Sequence, residues 1–335
     1  MNPLQVPGPL GIWQLVLGFA NTAVLYTLTK AGVIEQLRDH PKTPTELAER
    51  CHLNPEVLHR ALRYATVIGV VGHDDGQYAL TEAGRFLLKD VPGSLYLGIL
   101  LFGSESWQRA WQNLGHSLAT GDEAFELATG LPFFEYLDNQ PELGTTFDQF
   151  MTVATTGTAR AIAGVYDFTS FRSVCDIGGG QGILLKYILM ANPHLRGILY
   201  DQESVVKDHV LADLSDRVEI QSGNFFDRVP AADVLLIKTV LHDWSDEKCQ
   251  IILSHCRQAM QPTSRLLVID RVIATPTDLI DSFFDLHMQV MQGGRERTEN
   301  EFSSLLQSVG MKLNKIIPTK APQKIIEASL IEGAG

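Results

Sequence analysis

The segment Asp176-Ile-Gly178-Gly179-Gly180-Gln181-Gly182 follows a short apolar run and precedes an amphipathic one, the order of a strand, a glycine turn and a helix. Glycines there let a ligand approach the backbone closely at the carboxyl end of a strand, where open α/β sheets bind nucleosides. A dinucleotide fingerprint beginning at Gly178 needs glycine at 183, and this chain has Ile183. The pattern is instead Asp-x-Gly-x-Gly-x-Gly. It argues against a pyrophosphate, which Asp176 would repel, and suits a ligand that carries an ammonium group. Nineteen residues after Gly182 stands Asp201, at the end of the next strand, where a carboxylate can accept both hydroxyl hydrogens of a ribose. A further apolar run leads into His242-Asp243-Trp244 and puts an imidazole at the same edge. With an unperturbed pKa of about 6.5 an imidazole suits a general base, yet a lone histidine fits a structural role equally well.

These residues need a sheet to hold them. Short apolar runs at Ser173–Ile177, Arg196–Tyr200, Val218–Gln221, Asp233–Lys238 and Arg265–Asp270 alternate with amphipathic stretches near Gly182–Ala191, Ser204–Leu214, Asp246–Met260 and Glu299–Val309. That alternation predicts a parallel α/β sheet of βαβ units. Met311–Ile317 and Lys324–Ile331 have no helix between them, so they are expected to pair antiparallel at one edge. Upstream, Thr43-x-x-Glu46 is a capping box, Asn54-Pro55 opens a second helix, and an Asp75-Gly76 turn joins two short strands. The pattern is a winged helix. Trp107, Trp111, Leu114 and Leu118 then recur at helical spacing. The expected division is 1–100 winged helix, 101–170 helical connector and 171–335 nucleoside-binding domain.

Lys and Arg total 27 against 39 Asp and Glu, a net charge of −12, and residues 101–170 alone carry 9 acidic and 2 basic side chains. Nucleic acid and anionic membranes are unsuited partners for such a chain. The apolar stretch Gly11–Leu28 is interrupted by Gln14, Asn21 and Thr22, and no Lys or Arg occurs in the first ten residues. It is expected to be a helix buried on another helix, neither a signal peptide nor a membrane span. Four cysteines without a CxxC pair point to reduced thiols and a cytoplasmic location.

Phe133-Phe-Glu-Tyr-Leu137, Phe147-Asp-Gln-Phe-Met151, Val174-Cys-Asp-Ile-Gly-Gly-Gly-Gln-Gly182, Leu241-His-Asp-Trp-Ser-Asp246 and Gly293-Gly-Arg-Glu-Arg-Thr298 accompany the winged helix. Together they resemble, over nearly the whole chain, class I S-adenosylmethionine-dependent O-methyltransferases of the caffeate and hydroxyindole type. The resemblance implies a Rossmann-like catalytic sheet behind an N-terminal winged-helix dimerisation domain, a homodimer, S-adenosylmethionine as cofactor with S-adenosylhomocysteine as product, and a small hydroxylated aromatic or polyketide-like acceptor.

It also implies residue roles. Gly178, Gly180 and Gly182 line the methionine and ribose end, Asp201 holds the ribose, and Gln202 or Glu203 lies beside the adenosine. Asn224, where the family usually has Asp, and Phe225 flank the adenine, and Lys238 matches a position near the cofactor. His242 is the general base, flanked by Glu296 and Glu327. Phe147, Met151 and Met288 are expected against the acceptor, with Trp107, His287 and Asp243 nearby, while Trp244 and Asp246 pack and cap the following helix. No cluster of metal-ligand spacing occurs along the chain, so deprotonation is expected without Mg²⁺. Two rival readings stay open: a winged-helix regulator that binds the same cofactor, and a relative that uses the cofactor site for another reaction. Nitrogen and carboxylate acceptors also remain open.

Overall fold

The computed structural model describes residues 8–274 and 276–331. Near the N-terminus, β1 (Val71–Asp74) and β2 (Gln77–Leu80) form the expected hairpin, and Asp75 and Gly76 both take positive φ, 44° and 76°, as a tight primed turn requires. The Thr43/Glu46 capping box closes reciprocally over the helix Pro44–Cys51, and the Asn54 side chain accepts from Val57 N at the start of Pro55–Val67. The apolar faces of these helices share one core that includes Leu28, Leu47, Leu62 and Tyr78.

The larger sheet contains β3 (Ser173–Ile177), β4 (Arg196–Asp201), β5 (Val218–Ser222), β6 (Val234–Lys238), β7 (Arg265–Asp270), β8 (Met311–Ile317) and β9 (Lys324–Leu330), in the spatial order 5-4-3-6-7-9-8. β3 to β7 run parallel, and β9 is antiparallel to both of its neighbours. Alternate residues feed two cores, one on each face: Cys175, Leu235 and Val268 on one side, Val174, Leu236 and Leu267 on the other. The strand order reverses between β3 and β6, so the loops that follow them open into one crevice at the carboxyl edge, where such sheets bind ligands.

Two elements depart from expectation. The helix expected over Ser204–Leu214 shrinks to Glu203–Val206 and a 3-10 turn at Ala212–Leu214. The intervening backbone is diverted to the glycine turn: Val210 N donates to Gln181 O, and Lys186 Nζ donates to Val210 O. A helix over Leu279–Gln292, unforeseen in the sequence, is capped by Asp278 and ends at Gly293 with φ of 70°.

The chain also divides differently from the three sequence segments. One compact unit comprises Met1–Gln112 with Phe134–Phe150, the other Asn113–Phe133 with Met151–Gly335, so the connector is shared out rather than separate. The first unit contains Gly8–Val16 and Gly18–Lys30, which together are long and apolar enough to cross a membrane. Within one chain the stretch Gly11–Leu28 is only partly covered: Trp13 is 61% exposed and Phe19 69%, whereas Leu28 is buried.

Candidate active site

Three glycines of the turn after β3 take positive φ, 65° at Gly178, 60° at Gly180 and 84° at Gly182, which explains their residue type directly. A Cβ at Gly179 would lie 2.8 Å from Asp176 Cγ, so the turn folds directly over that carboxylate, whereas the space beside Gly180 is open. Asp176 is buried, and its oxygens find no hydrogen bond of ordinary geometry among the described residues. Burial raises its pKa to about 7, against the opposing charge of Lys238. Asp201, at the end of β4, accepts from Gly180 N at 2.8 Å and from Gln202 N at 2.7 Å. It thus shapes the turn and keeps lone pairs for a hydroxylated ligand. Gln202 and Glu203 are exposed beside it.

Phe225 packs near the same turn, because a Cβ on Gly178 would stand 3.6 Å from its ring. Asn224 is exposed, but its Oδ1 already accepts from Phe226 N at 2.9 Å. Its carbonyl therefore offers one remaining lone pair to a ligand. Lys238 closes β6; its amine donates to Thr239 Oγ1, and burial lowers its pKa against the pull of Asp270, Asp176 and Asp243.

After β6 the chain turns through Thr239, at φ of 49°, into a single 3-10 turn, Leu241–Asp243. His242 Nδ1 lies 2.9 Å from Glu296 Oε1 and 3.7 Å from Asp270 Oδ1, and Nε2 lies 3.4 Å from Asp243 Oδ1. With its proton on Nδ1 donated to Glu296, the ring presents Nε2 as the acceptor nitrogen. Burial favours the neutral ring, but Asp270, Asp243 and Glu296 prevail and raise its pKa to about 10, so Nε2 becomes an acceptor only once the ring has lost its second proton, which a bound cation beside it would promote.

The 293–298 segment reaches this turn because Gly294 has no side chain: a Cβ there would sit 2.0 Å from His242 O. Arg295 N then donates to His242 O at 2.9 Å, and Glu296 N donates to Asp285 Oδ1. Arg297, 1% exposed, donates to Leu241 O, Trp244 O and Asp246 Oδ1. It clamps the histidine loop to the helix Asp246–Ala259, a role its charge-rich neighbourhood in the sequence did not reveal. Ser245 is that helix's cap, while Asp246 serves Arg297.

Glu327 does not flank His242. On β9 it shares the face of Ile325, packed against Leu267 and Ile269, opposite the face of Asp270 and Leu241. Its partners are Asn314 Nδ2 at 3.1 Å and Lys315 Nζ at 3.5 Å, and it raises the pKa of Tyr166. The period of two along a strand puts neighbouring residues on opposite faces, so an apolar run with one carboxylate does not disclose which side the acid takes. Asp270 occupies the second acidic place at Nδ1 instead. Its signal was a carboxylate at the carboxyl end of a parallel strand.

The atoms of His242, Asp270 and Glu296 lie within 4.8 Å of one another, a cluster assembled by the fold that no spacing along the chain announces. Such a set has the ligand atoms a cation could use, while the 2.9 Å contact within it has the length of an ordinary N–H···O hydrogen bond. Of the residues expected near an acceptor, Met151, Asp243, His287 and Met288 belong to the same compact unit as His242, and Trp107 and Phe147 to the other. His287 stacks on Phe283, and burial lowers its pKa to about 3, so it stays neutral. Trp107 is buried, and Phe147 meets Phe134 edge-on.

A sheet with its switch point at a glycine turn, an acid at the end of the next strand and a carboxylate-bound imidazole define a nucleoside-dependent group-transfer enzyme. The chain belongs to the O-methyltransferase family: residues 111–312 match its O-methyltransferase domain, and residues 13–90 match its dimerisation domain. It is 35% identical over 322 residues to the phenazine O-methyltransferase of Lysobacter antibioticus, covering 94% of each chain. The solved mitomycin 7-O-methyltransferase superposes with a TM-score of 0.93 at 34% identity, over 96% of this chain and 97% of that one. An O-methyltransferase of neocarzinostatin biosynthesis, solved with S-adenosylmethionine and 2-hydroxy-5-methyl naphthoic acid, superposes at 0.85 and 28% identity, over 93% and 96%. The site fits that cofactor: the unpartnered acid of Asp176 suits a cationic ligand, Gly180 leaves space, and Asp201 retains lone pairs for a ribose.

Proposed function

We propose that the chain transfers a methyl group from S-adenosylmethionine to a hydroxyl of a small aromatic or polyketide-like molecule, with His242 as general base. The observation that carries this reading is the Glu296 carboxylate 2.9 Å from His242 Nδ1 at the switch point of the sheet. Asp176, Gly178, Gly180, Asp201, Gln202, Asn224, Phe225 and Lys238 would hold the cofactor, which supplies a sulfonium methyl open to in-line displacement. A phenol, with a pKa of about 10, is mostly protonated at neutral pH. Its oxygen gains nucleophilicity as the O–H bond breaks and the proton passes to Nε2. Glu296 keeps Nδ1 protonated throughout, the orienting role an acid plays in a hydrolase triad. Met151, Met288, Phe147 and Trp107 are apolar and aromatic, as a flat ring requires.

No metal is needed for this step, and nucleic acid is an unsuited partner for so acidic a chain. A second copy covers the apolar helices Gly8–Val16 and Gly18–Lys30, which explains their exposure in one chain without a membrane. Four cysteines without a CxxC pair suit a reducing cytoplasm, where we place the chain.

The test is S-adenosylhomocysteine release across phenols, hydroxynaphthoic acids, phenazines and hydroxyquinones, with amines and carboxylic acids alongside. His242→Ala should lower turnover by about 10²–10⁴ with cofactor affinity preserved, and a chelator should leave the wild-type rate unchanged. Full turnover in the variant would reject the base, and loss of turnover on chelation would reject the metal-free step.

A further inference from the structure

Between Gly178 and Gly182 the turn after β3 has one side chain, that of Gln181. Glycine backbone is ordered at a high entropic cost, so a turn of this composition keeps one shape only where the rest of the molecule grips it. Gln181 is gripped from two sides. Its Oε1 accepts from Thr152 Oγ1 at 2.9 Å, and its backbone carbonyl accepts from Val210 N at 2.9 Å. Both holders are themselves tied down. Thr152 belongs to the helix Pro141–Ala163, whose Thr158 Oγ1 donates to Gln323 Oε1 at 3.2 Å and whose Ala159 and Ile162 share a core with Leu184 and Leu185. Val210 O accepts from Lys186 Nζ at 3.0 Å, and that amine lies 3.0 Å from Asp213 Oδ1. Leu211 fills the place that a side chain at 182 would need.

We propose that Gln181 is a positioning residue for the cofactor: its hydrogen bond to Thr152 holds the turn, before any ligand binds, in the shape that S-adenosylmethionine and S-adenosylhomocysteine require. The inference rests on the assignment of this turn to the cofactor. The side chain acts on the cofactor-free protein. It makes the competent shape the favoured one, so that binding does not have to order the glycines at 178, 180 and 182.

The two grips differ in what they ask of the sequence. Val210 N meets a backbone carbonyl, which any residue at 181 supplies, whereas the bond to Thr152 needs a side-chain acceptor of this length. Gly178, Gly180 and Gly182 are fixed by their positive φ, so position 181 is where residue type can add a hold on the turn. Both partners are neutral, which bounds the effect: a neutral hydrogen bond shifts an equilibrium by about threefold to tenfold.

Thr152→Val removes the hydroxyl at nearly constant shape, Gln181→Leu removes the acceptor, and Thr152→Ser keeps the donor. Calorimetry of the full-length protein with S-adenosylhomocysteine should show Kd raised at least threefold in Thr152→Val and in Gln181→Leu. The double variant should be no more than twofold weaker than either, and Thr152→Ser should stay within twofold of wild type. Hydrogen exchange in the cofactor-free single variants should quicken at amides 179–183 and stay unchanged in β3, β6 and β7. Wild-type Kd in both single variants overturns the proposal, as do effects that multiply in the double variant or faster exchange throughout the sheet. Asp201→Ala tells the two possible failures apart. If it too binds with wild-type Kd, the assignment of the turn to the cofactor is what fails; weakened binding there, beside wild-type Kd in Thr152→Val and Gln181→Leu, rejects the grip alone.

Discussion

Buried acids set the pH behaviour of this molecule residue by residue. Asp176 has a folded pKa of about 7 because burial dominates, against about 3.9 for an unfolded aspartate. Between those values the native state holds a proton that the unfolded chain releases, so this group's contribution to stability falls as pH rises through the window. Asn at 176 has no proton to lose. The cofactor-free Asp176→Asn protein should match wild type in Tm near pH 4.5 and exceed it by about 2 °C or more at pH 8. A constant difference between the two across that range, measured by thermal unfolding, would refute this electrostatic account. The glycines and acids at 176–182 and 201 were legible in the chain because strand-to-turn chemistry is local. Asp270 was not, because its partner is 28 residues away and is brought close only by adjacent strands β6 and β7.

At the scale of elements, the histidine turn is held by a loop from the opposite side of the sequence. Gly294 permits the approach to His242 O, and Arg297 ties down the carbonyls of Leu241 and Trp244. Gly294→Ala introduces a methyl group 2.0 Å from a carbonyl oxygen, so one of the two segments must withdraw. The expected outcome is a loss of about 1–3 kcal/mol in stability and a fall in kcat of at least tenfold, with cofactor affinity within threefold of wild type. Wild-type kcat in a folded Gly294→Ala protein, checked by steady-state kinetics and calorimetry, would show that the approach does not position His242. Capping boxes, the Asp-Gly turn and the parallel strands were readable because each depends on residues a few positions apart. The helix Leu279–Gln292 and the shortened segment after Gln202 were not, since the first begins at an ordinary Asp cap and the second is unwound by bonds to Gln181 and Lys186.

The molecule as a whole leaves Leu10, Trp13 and Phe19 exposed on the first two helices of a dimerisation domain. An apolar face of this kind is costly in water and is covered on association. Trp13→Glu combined with Phe19→Glu should turn the dimer into a monomer in sedimentation at micromolar concentration, while a folded double variant that remains dimeric would place the interface elsewhere. Strand periodicity with the glycine turn made the sheet and its carboxyl edge readable, because these depend on local geometry. Whether an apolar stretch packs inside its own chain or faces outward depends on which surfaces meet, and the residue types of Gly11–Leu28 alone do not decide it. The same holds for the acids. Glu296 stands between two arginines in the sequence and Glu327 in an apolar run, and neither setting discloses the outcome: sheet parity sends Glu327 to the far face and leaves Asp270 beside the imidazole. Distance across strands is a property of register and face, and only the folded chain decides it.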